Sequence, residues 1–269
     1  MMIPSIGYIH AMSITYTFPN PIHTKSATSR LLAAISRLTF GNQSNGGSLT
    51  KKWLRFPIEY SAARRLEAVN EISVSDLFPN TELPTTIELP KLERHSWNVK
   101  LDEKILIGLI GMLHKPKTVF EIGTFDGGTT LHLGQSTADD CRIYTLDLPP
   151  ADFDRTQEPG GMSGDRVGHK FWNTPEQNKI TQLRGNSVTF DYSPYENKMD
   201  LVFVDAAHDY IHGYPDSMNA LRLAKSGGIV MWHDCSPYWS ELVHAICDAT
   251  DGMQLQRLSG TSVAVLRKP

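Results

Sequence analysis

The sequence predicts an α/β fold: a doubly wound, mostly parallel sheet of seven strands, covered by helices on both faces and preceded by an N-terminal extension. From about residue 98 onward, short apolar segments rich in β-branched residues alternate with stretches of helical periodicity. The chain has 269 residues, which suits one such domain with an appendage. Because 40% of the residues are hydrophobic, the chain can build a core without disulfides or a structural metal.

The predicted elements follow one another in a regular order. Apolar residues from Leu101 to Leu113 recur at helical spacing, and Pro116 ends this first helix. Strands and helical segments then alternate, with a last helix near Tyr238–Thr250. The seven predicted strands are Thr118–Ile122, Arg142–Leu146, Ile180–Leu183, Leu201–Val204, Gly228–Trp232, Gln254–Leu258 and Ser262–Leu266. Ligands of such sheets bind beyond the carboxyl ends of the strands, so those ends are where functional residues are expected.

Three segments are expected along the chain. Residues 1–50 form a flexible or docking arm, residues 51–97 an irregular cap, and residues 98–269 the ligand-binding domain. No acidic residue precedes Glu59, and Ser29–Leu38 is weakly amphipathic, which leaves an organelle transit peptide as the alternative for the arm. We favour the arm and a cytoplasmic protein, because the two arginines of Ser29–Leu38 are weak evidence for a targeting sequence.

Composition excludes several classes of function. The three cysteines Cys141, Cys235 and Cys247 show no C-x-x-C spacing, which argues against a disulfide framework and a zinc ribbon. The net charge of −3 argues against nucleic-acid binding, and no apolar run approaches the ~20 residues of a membrane span. An enzyme or small-ligand binder remains, and a homo-oligomer is left open.

The first strand ends in a glycine-rich turn with an acidic residue. Gly123 and Gly127 let the backbone turn sharply and approach a ligand, and the helix that follows offers free N–H groups. The turn is neither a P-loop nor G-x-G-x-x-G, because position 125 is not glycine. Glu121 would repel a pyrophosphate and attract an ammonium group. This favours an amino-acid-like ligand over a dinucleotide.

The next two strands also end in polar residues. Asp147 follows the second strand, where an acidic side chain can accept hydrogen bonds from both ribose hydroxyls of a nucleoside. Asn186 and Ser187 follow the third strand and could contact the edge of a purine. Each of these residues, taken by itself, could have a purely structural role. Their occurrence at successive strand ends favours a nucleoside site.

These residues resemble a known family, the class I S-adenosylmethionine-dependent methyltransferases, and within it the methyltransferase domain 24 group. The resemblance covers about residues 98–268 and is carried by the segments VFEIGTFDGGTT, IYTLDLPP, LRGNS, DLVFVDAAHDY and SGGIVMWHD. It implies a Rossmann-like methyltransferase sheet and S-adenosyl-L-methionine as the cofactor. The cofactor-binding residues that it implies are Glu121, Gly123, Thr124, Phe125, Gly127, Thr129, Asp147, Leu148, Asn186, Ser187 and Asp205.

The fourth and fifth strands carry the candidate chemistry. Asp205 and Asp234 follow them and could converge on Mg²⁺, which prefers oxygen ligands. The pattern is similar to that of catechol and caffeoyl-CoA O-methyltransferases. Those enzymes have lysine at the position of His208 and asparagine at the position of Cys235. Cysteine is a poor Mg²⁺ ligand, so His233 or water is left as the third ligand.

His208 is the candidate general base, together with Asp205 as a catalytic residue. A hydroxyl is a weak nucleophile until it loses its proton, and imidazole readily accepts one near neutral pH. The structural alternative for His208 is a cap on a helix that starts near Gly213. We expect His233 to orient Asp234, and Trp232 to pack on the sheet face.

A long insertion, Leu148–Asn178, separates the second and third strands. Loops of this length in compact domains are often lids or binding elements, and this one starts on the cofactor side. Arg155, Arg166, Lys170 and Trp172 suggest an anionic or aromatic acceptor. An ordinary solvated loop is the alternative.

The leading hypothesis is an S-adenosylmethionine-dependent O-methyltransferase acting on the hydroxyl of a small molecule, with or without Mg²⁺. One alternative is a nicotinamide-dependent oxidoreductase on the same sheet, against which Glu121 and the missing glycines argue. The other is a non-catalytic cofactor-binding module.

Overall fold

The computed structural model describes residues 49–84, 99–152 and 163–269. The predicted amphipathic stretch Ser29–Leu38, and with it the transit-peptide alternative, lies outside the described residues, as does Arg155 of the insertion.

The described part of the chain contains six α-helices and eight strands. The helices are α1 (Leu49–Glu67), α2 (Val74–Leu77), α3 (Leu101–His114), α4 (Gly128–Ser136), α5 (Tyr210–Leu223) and α6 (Ser240–Ala249). The strands are β1 (Asn70–Ile72), β2 (Thr118–Ile122), β3 (Arg142–Asp147), β4 (Ile180–Arg184), β5 (Met199–Val204), β6 (Ala224–Trp232), β7 (Gln256–Leu258) and β8 (Ala264–Arg267). Among these helices, none combines the length and apolar character that a bilayer crossing requires.

All eight strands form one sheet in the order β1-β7-β8-β6-β5-β2-β3-β4. Every neighbouring pair is parallel except the two pairs that involve β8. The predicted α/β class and mostly parallel sheet are therefore confirmed, but the predicted number of seven strands is wrong. The strand that was missed, β1, has three residues, too few to show an alternating pattern, and it exists by pairing with β7.

The central strands are buried on both faces, which explains their unbroken apolar sequences. In β2, Val119 belongs to the core on one face, while Phe120 and Ile122 belong to the core on the other. Helices α3 and α4 pack together, and α1, α5 and α6 form a separate group. Buried residues of α3 join the first core, and buried residues of α5 and α6 join the second. The sheet is thus covered on both faces, as parallel sheets require.

The expected irregular cap at residues 51–97 is wrong for its first part, and residues 85–97 of it lie outside the described residues. Its first part is the 19-residue helix α1, in which Ala62 and Leu66 are buried in the core beside α6. Pro57 lies inside α1. Proline usually ends a helix, so the sequence favoured irregular structure here. The packing of α1 against α6 stabilises a helix instead.

Candidate active site

The carboxyl ends of β2, β3, β5 and β6 meet at one edge of the sheet. Backbone hydrogen bonds hold these ends together just beyond the strands. The amide of Gly123 donates to the carbonyl of Leu146 at 2.9 Å, and the amide of Asp205 donates to the carbonyl of Ile122 at 2.9 Å. Residues that are far apart in sequence are therefore placed side by side at this edge, as the strand pattern predicts.

The turn after β2, residues 123–128 and hereafter the glycine-rich loop, needs glycine where the sequence has it. Gly123 has a φ of +97°, and a Cβ there would lie 2.0 Å from the carbonyl oxygen of Asp205. Gly127 has a φ of +82°, and a Cβ there would lie 2.7 Å from the ring of Phe171. Phe125 also has a positive φ, of 47°, a conformation that costs energy for a residue with a side chain.

Glu121 is buried at the end of β2 beneath this loop. Its Oε2 accepts a hydrogen bond from Thr145 at 2.6 Å and another from Thr130. Burial raises the pKa of Glu121 to about 8, because these two hydroxyls only partly offset the loss of water around the carboxylate. In this state Glu121 is mostly protonated at neutral pH, and a cationic ligand would favour its ionised form.

A small pocket opens between the glycine-rich loop and the end of β5. Six of the predicted site residues line it, together with two that sequence reasoning missed, Val99 and Asp126. The full lining is Val99, Glu121, Gly123, Thr124, Phe125, Asp126, Thr129 and Asp205. Asp126 lies inside the recognised motif, but nothing in the sequence marks Val99, which lies two residues before the start of α3.

Asp147 holds the glycine-rich loop. Its Oδ2 accepts hydrogen bonds from the amides of Thr124 at 2.9 Å and Phe125 at 2.7 Å, and its Oδ1 accepts one from Leu148 at 2.7 Å. Burial raises the pKa of Asp147, and these three bonds oppose that rise. The predicted ribose acceptor thus sits directly beside the pocket, and it also has a structural role that the sequence did not indicate.

Asn186 and Ser187 lie just beyond β4, next to the end of β3. The exposed Asn186 accepts a hydrogen bond from the amide of Val188 at 2.9 Å, and the carbonyl of Ser187 accepts one from Asn219 at 3.4 Å. Neither residue lines the pocket described above. They follow Gly185, whose amide donates to the carbonyl of Asp147 at 2.9 Å. The three predicted strand-end positions are therefore adjacent.

Asp205, His208 and Asp234 form the acidic cluster at the ends of β5 and β6. One donor atom from each side chain lies within 4.8 Å of the others. His208 Nε2 is 2.9 Å from Asp234 Oδ2, and Asp234 has a positive φ of 55°. The alternative role of His208 as a helix cap is not observed, because α5 begins at Tyr210 and the side chain of Asp209 caps it. The expected helix start near Gly213 is corrected accordingly.

A buried histidine joins the two aspartates of this cluster. His233 Nδ1 is 3.2 Å from Asp205 Oδ1 and 3.4 Å from Asp234 Oδ2, and its Nε2 is 3.1 Å from Glu103 Oε2. Burial alone would lower the pKa of His233, but the three carboxylates raise it to about 12. Burial alone would raise the pKa of Asp234, but hydrogen bonds from His208 and His233 hold it well below its usual range. His233 thus contacts Asp234, as expected, and Glu103 is a partner that sequence reasoning missed.

Three further residues near the ends of β5 and β6, Cys235, Trp239 and Trp232, have clear structural surroundings. Cys235 is fully buried among apolar side chains, and burial raises the pKa of its thiol to about 12, so it is not a ligand at this edge. The ring of Trp239 stacks on His208 with centroids 4.1 Å apart. Trp232 is buried on the sheet and donates to Ser217 at 3.0 Å, which confirms its predicted packing role.

The described end of the insertion, residues 163–178, packs against the glycine-rich loop. The amides of Gly168 and Lys170 donate to the carbonyls of Phe125 and Asp126 at 2.8 and 3.0 Å, and Phe171 is buried. Lys170 also pairs with Asp126 at 2.9 Å. This part supports the glycine-rich loop. Residues 153–162 of the insertion lie outside the described residues, so its role as a cover over the acceptor stays a prediction.

Comparisons with known proteins agree with this geometry. A family model described as a methyltransferase domain matches residues 120–235, which contain the glycine-rich loop, Asp147 and the acidic cluster. A caffeoyl-CoA O-methyltransferase from Pinus taeda is 27% identical over 168 residues, covering 60% of this chain and 60% of that protein. The chain thus spans less than two thirds of the length of this relative.

Two solved structures share the fold. A candidate O-methyltransferase from Klebsiella pneumoniae has a TM-score of 0.51 at 15% identity, covering 65% of this chain and 84% of its own. The cofactor-bound protein Rv0187 from MTB has a TM-score of 0.50 at 16% identity, covering 91% of this chain and 100% of its own. The chain therefore shares the fold of these two proteins, and its residues 120–235 are similar to a methyltransferase domain.

Proposed function

We propose that the protein uses S-adenosyl-L-methionine to methylate a hydroxyl group of a small molecule. One observation carries the proposal. Asp205 lines the pocket at the glycine-rich loop and is also a member of the Asp205–His208–Asp234 cluster. A methyl donor held in the pocket would therefore lie next to a group that can accept a proton. The family match and the O-methyltransferase relative from Pinus taeda support this reading.

The residues at the pocket fit the methionine end of the cofactor. Glu121 and Asp205 would bind the ammonium group, and the glycine-rich loop lets the backbone approach the ligand closely. Asp147 would bind a ribose hydroxyl with the lone pair of Oδ1 that the three backbone amides leave unused. The side chains of Asn186 and Ser187 would lie at the adenine. In this proposal one cofactor molecule would lie along the ends of β2, β3, β4 and β5.

The cofactor, when bound, supplies an electrophilic methyl group that an oxygen nucleophile can take in an in-line displacement. His208 accepts the proton of the acceptor hydroxyl at Nδ1 while its Nε2–H donates to Asp234 Oδ2 at 2.9 Å, and Asp234 thereby orients the imidazole and stabilises its protonated form. Trp239, stacked on the other side, limits rotation of the His208 ring. General-base catalysis of this kind contributes about 10²- to 10⁴-fold to a rate.

The acidic cluster also fits a divalent cation. Asp205 and Asp234 offer the carboxylate oxygens that Mg²⁺ prefers, and His208 offers a nitrogen that first-row transition metals such as Zn²⁺ bind more readily. The cation would lower the pKa of a bound hydroxyl. A His208 ring that binds a cation cannot also serve as the free base, so metal assistance and His208 base catalysis are competing versions of the proposal.

A labelled-methyl transfer screen against phenols, sugars and hydroxylated natural products tests the proposal. We expect methyl transfer to at least one hydroxyl, and a loss of about 10²-fold or more in His208→Ala with unchanged S-adenosylhomocysteine affinity. Activity abolished by EDTA and restored by Mg²⁺ or Zn²⁺ would favour the metal version. Activity that survives EDTA would remove Asp205 and Asp234 from metal binding. Cofactor binding without transfer to any acceptor class would favour the non-catalytic module.

A further inference from the structure

A buried histidine contacts both aspartates of the acidic cluster, and neither version of the proposed function uses it. His233 directly follows β6 and is only 8% exposed. Its Nδ1 lies 3.2 Å from Asp205 Oδ1 and 3.4 Å from Asp234 Oδ2. In the metal version these two carboxylates bind the cation, whereas in the base version Asp234 holds His208. The role of His233 therefore bears on the choice between the two versions.

Glu103 fixes which nitrogen of His233 faces the aspartates. Glu103 is 1% exposed, and its Oε2 lies 3.1 Å from His233 Nε2. Its Oε1 accepts the amide and the hydroxyl of Ser262, both at 2.7 Å. Because these two donors hold Glu103, the imidazole ring is fixed with Nδ1 toward Asp205 and Asp234. Ionised carboxylates only accept hydrogen bonds, so Nδ1 carries a hydrogen at this position.

Two histidines share one oxygen of Asp234. Asp234 Oδ2 lies 2.9 Å from His208 Nε2 as well as 3.4 Å from His233 Nδ1. A divalent cation between Asp205 and Asp234 would compete with these N–H donors for carboxylate lone pairs. It would also be repelled by the hydrogen that Nδ1 directs toward both aspartates. The cluster thus has the side chains of a metal site, but the oxygens that face His233 are already engaged.

We propose that the Nδ1–H of His233 occupies carboxylate oxygens that a divalent cation would need, and so sets the cluster for base catalysis without a metal. This inference rests on the proposed function and selects the version in which His208 is the base. His233 is then a positioning residue, because it acts through Asp205 and Asp234. Glu103, from α3, holds it in place from outside the motifs that the sequence displays.

Mn²⁺ binding tests this role without any methyl acceptor. Mn²⁺ binds carboxylates as Mg²⁺ does, and electron paramagnetic resonance measures the free ion. His233→Gln and His233→Asn are a matched pair, because a glutamine amide can take the position of Nε2 and an asparagine amide that of Nδ1. His233→Gln loses the donor that faces the aspartates. We expect it to bind Mn²⁺ about 10- to 100-fold more tightly than the wild type, the usual size of a hydrogen bond to a charged group.

Three controls locate this effect. His233→Asn keeps a donor toward the aspartates and should bind Mn²⁺ like the wild type. Adding Asp205→Asn to His233→Gln should remove the gain in affinity. His212→Gln alters a partly exposed histidine that contacts Asp209 at 2.9 Å, outside the cluster, and should also bind like the wild type.

The outcomes separate this inference from the proposed function. Micromolar Mn²⁺ binding by the wild type that Asp205→Asn abolishes would overturn the inference, even if His233→Gln does not fold. Weaker Mn²⁺ binding in His233→Gln would also overturn it, because His233 would then orient metal ligands. Equal gains in His233→Gln and His233→Asn would show that the Nδ1–H bonds are not the cause. A gain in His233→Gln alone would support the inference. Absence of methyl transfer to every acceptor would remove the proposed function, whatever the Mn²⁺ result.

Discussion

At the residue scale, the acidic cluster depends on the protonation of one histidine. Both ring nitrogens of His233 face carboxylate oxygens, those of Glu103 on one side and of Asp205 and Asp234 on the other. A neutral imidazole carries only one N–H, so satisfying both sides requires the doubly protonated, positively charged form. This buried charge offsets the repulsion between Asp205 and Asp234 and keeps them close. Glu103 in turn is fixed by the amide and hydroxyl of Ser262, both at 2.7 Å.

Glu121 gives a prediction about pH. Its pKa rises from 4.5 to about 8 on folding, so over that range the unfolded chain has released a proton that the folded protein keeps. Stability contributed by Glu121 therefore falls as pH rises through this window. We expect Glu121→Gln to have a larger free energy of unfolding than the wild type near pH 8. Near pH 4.5 the two proteins should be equally stable. Thermal unfolding across this pH range measures the difference.

The control for this prediction is Asp139→Asn, which alters an exposed carboxyl group and should follow the wild type at every pH. Parallel curves for the wild type and Glu121→Gln would show that Glu121 does not keep its proton on folding. The same variant should also bind S-adenosylhomocysteine about 10-fold or more weakly, because an amide cannot supply the charge for an ammonium group.

At the element scale, the glycine-rich loop is held in place by a side chain from the next strand. Asp147 accepts the amides of Thr124 and Phe125, so its loss should affect both the loop and the ligand. We expect Asp147→Ala to weaken S-adenosylhomocysteine binding by about 10- to 100-fold and to lower stability by about 1–3 kcal/mol, the cost of leaving buried donors unpaired. Hydrogen exchange at Thr124 and Phe125 should become faster in the same variant.

Asp140→Ala provides the matched control for Asp147→Ala, because Asp140 precedes the start of β3 and its ion pair with Lys117 is exposed. Surface pairs of this kind contribute little, so binding and exchange should stay at wild-type values. Unchanged exchange at Thr124 and Phe125 in Asp147→Ala would contradict the anchoring role. Unchanged affinity would contradict the ribose role.

The elements that the sequence predicted are those whose signal is local. The strand ends at Glu121, Asp147 and Asp205 follow apolar runs that are visible in a short window, and Gly123 is required by its own backbone conformation. Glu103 was missed because its partner His233 is 130 residues away, and an acidic residue in the first turn of a helix is unremarkable. Contacts made by tertiary packing leave no pattern along the chain.

At the scale of the whole molecule, β1 and α1 were missed for the same reason, because both depend on contacts between distant parts of the chain. Strand β1 gains its backbone partners only when β7, about 180 residues later, is in place, with Asn70 opposite Gln256. Helix α1 packs against α6 from the other end of the chain, so its proline and weak periodicity misled a local reading. The parallel sheet itself was predictable, because alternation of strands and helices fixes the class even where boundaries and strand number do not follow.

Ligand binding also changes the unfolding temperature (Tm) of the whole molecule. A ligand that binds only the folded state stabilises it by about 2.7 kcal/mol at a concentration of 100 times its Kd, which in a domain of this size is a Tm shift of about 5–10 °C. We expect S-adenosylhomocysteine to produce such a shift. NADH at the same concentration should produce none, because the carboxylates of Asp126 and Asp205, which line the pocket with Glu121, oppose a pyrophosphate at the glycine-rich loop. Differential scanning calorimetry with both ligands measures the two shifts. A rise in Tm with NADH alone would favour the nicotinamide-dependent oxidoreductase and would overturn the methyltransferase proposal.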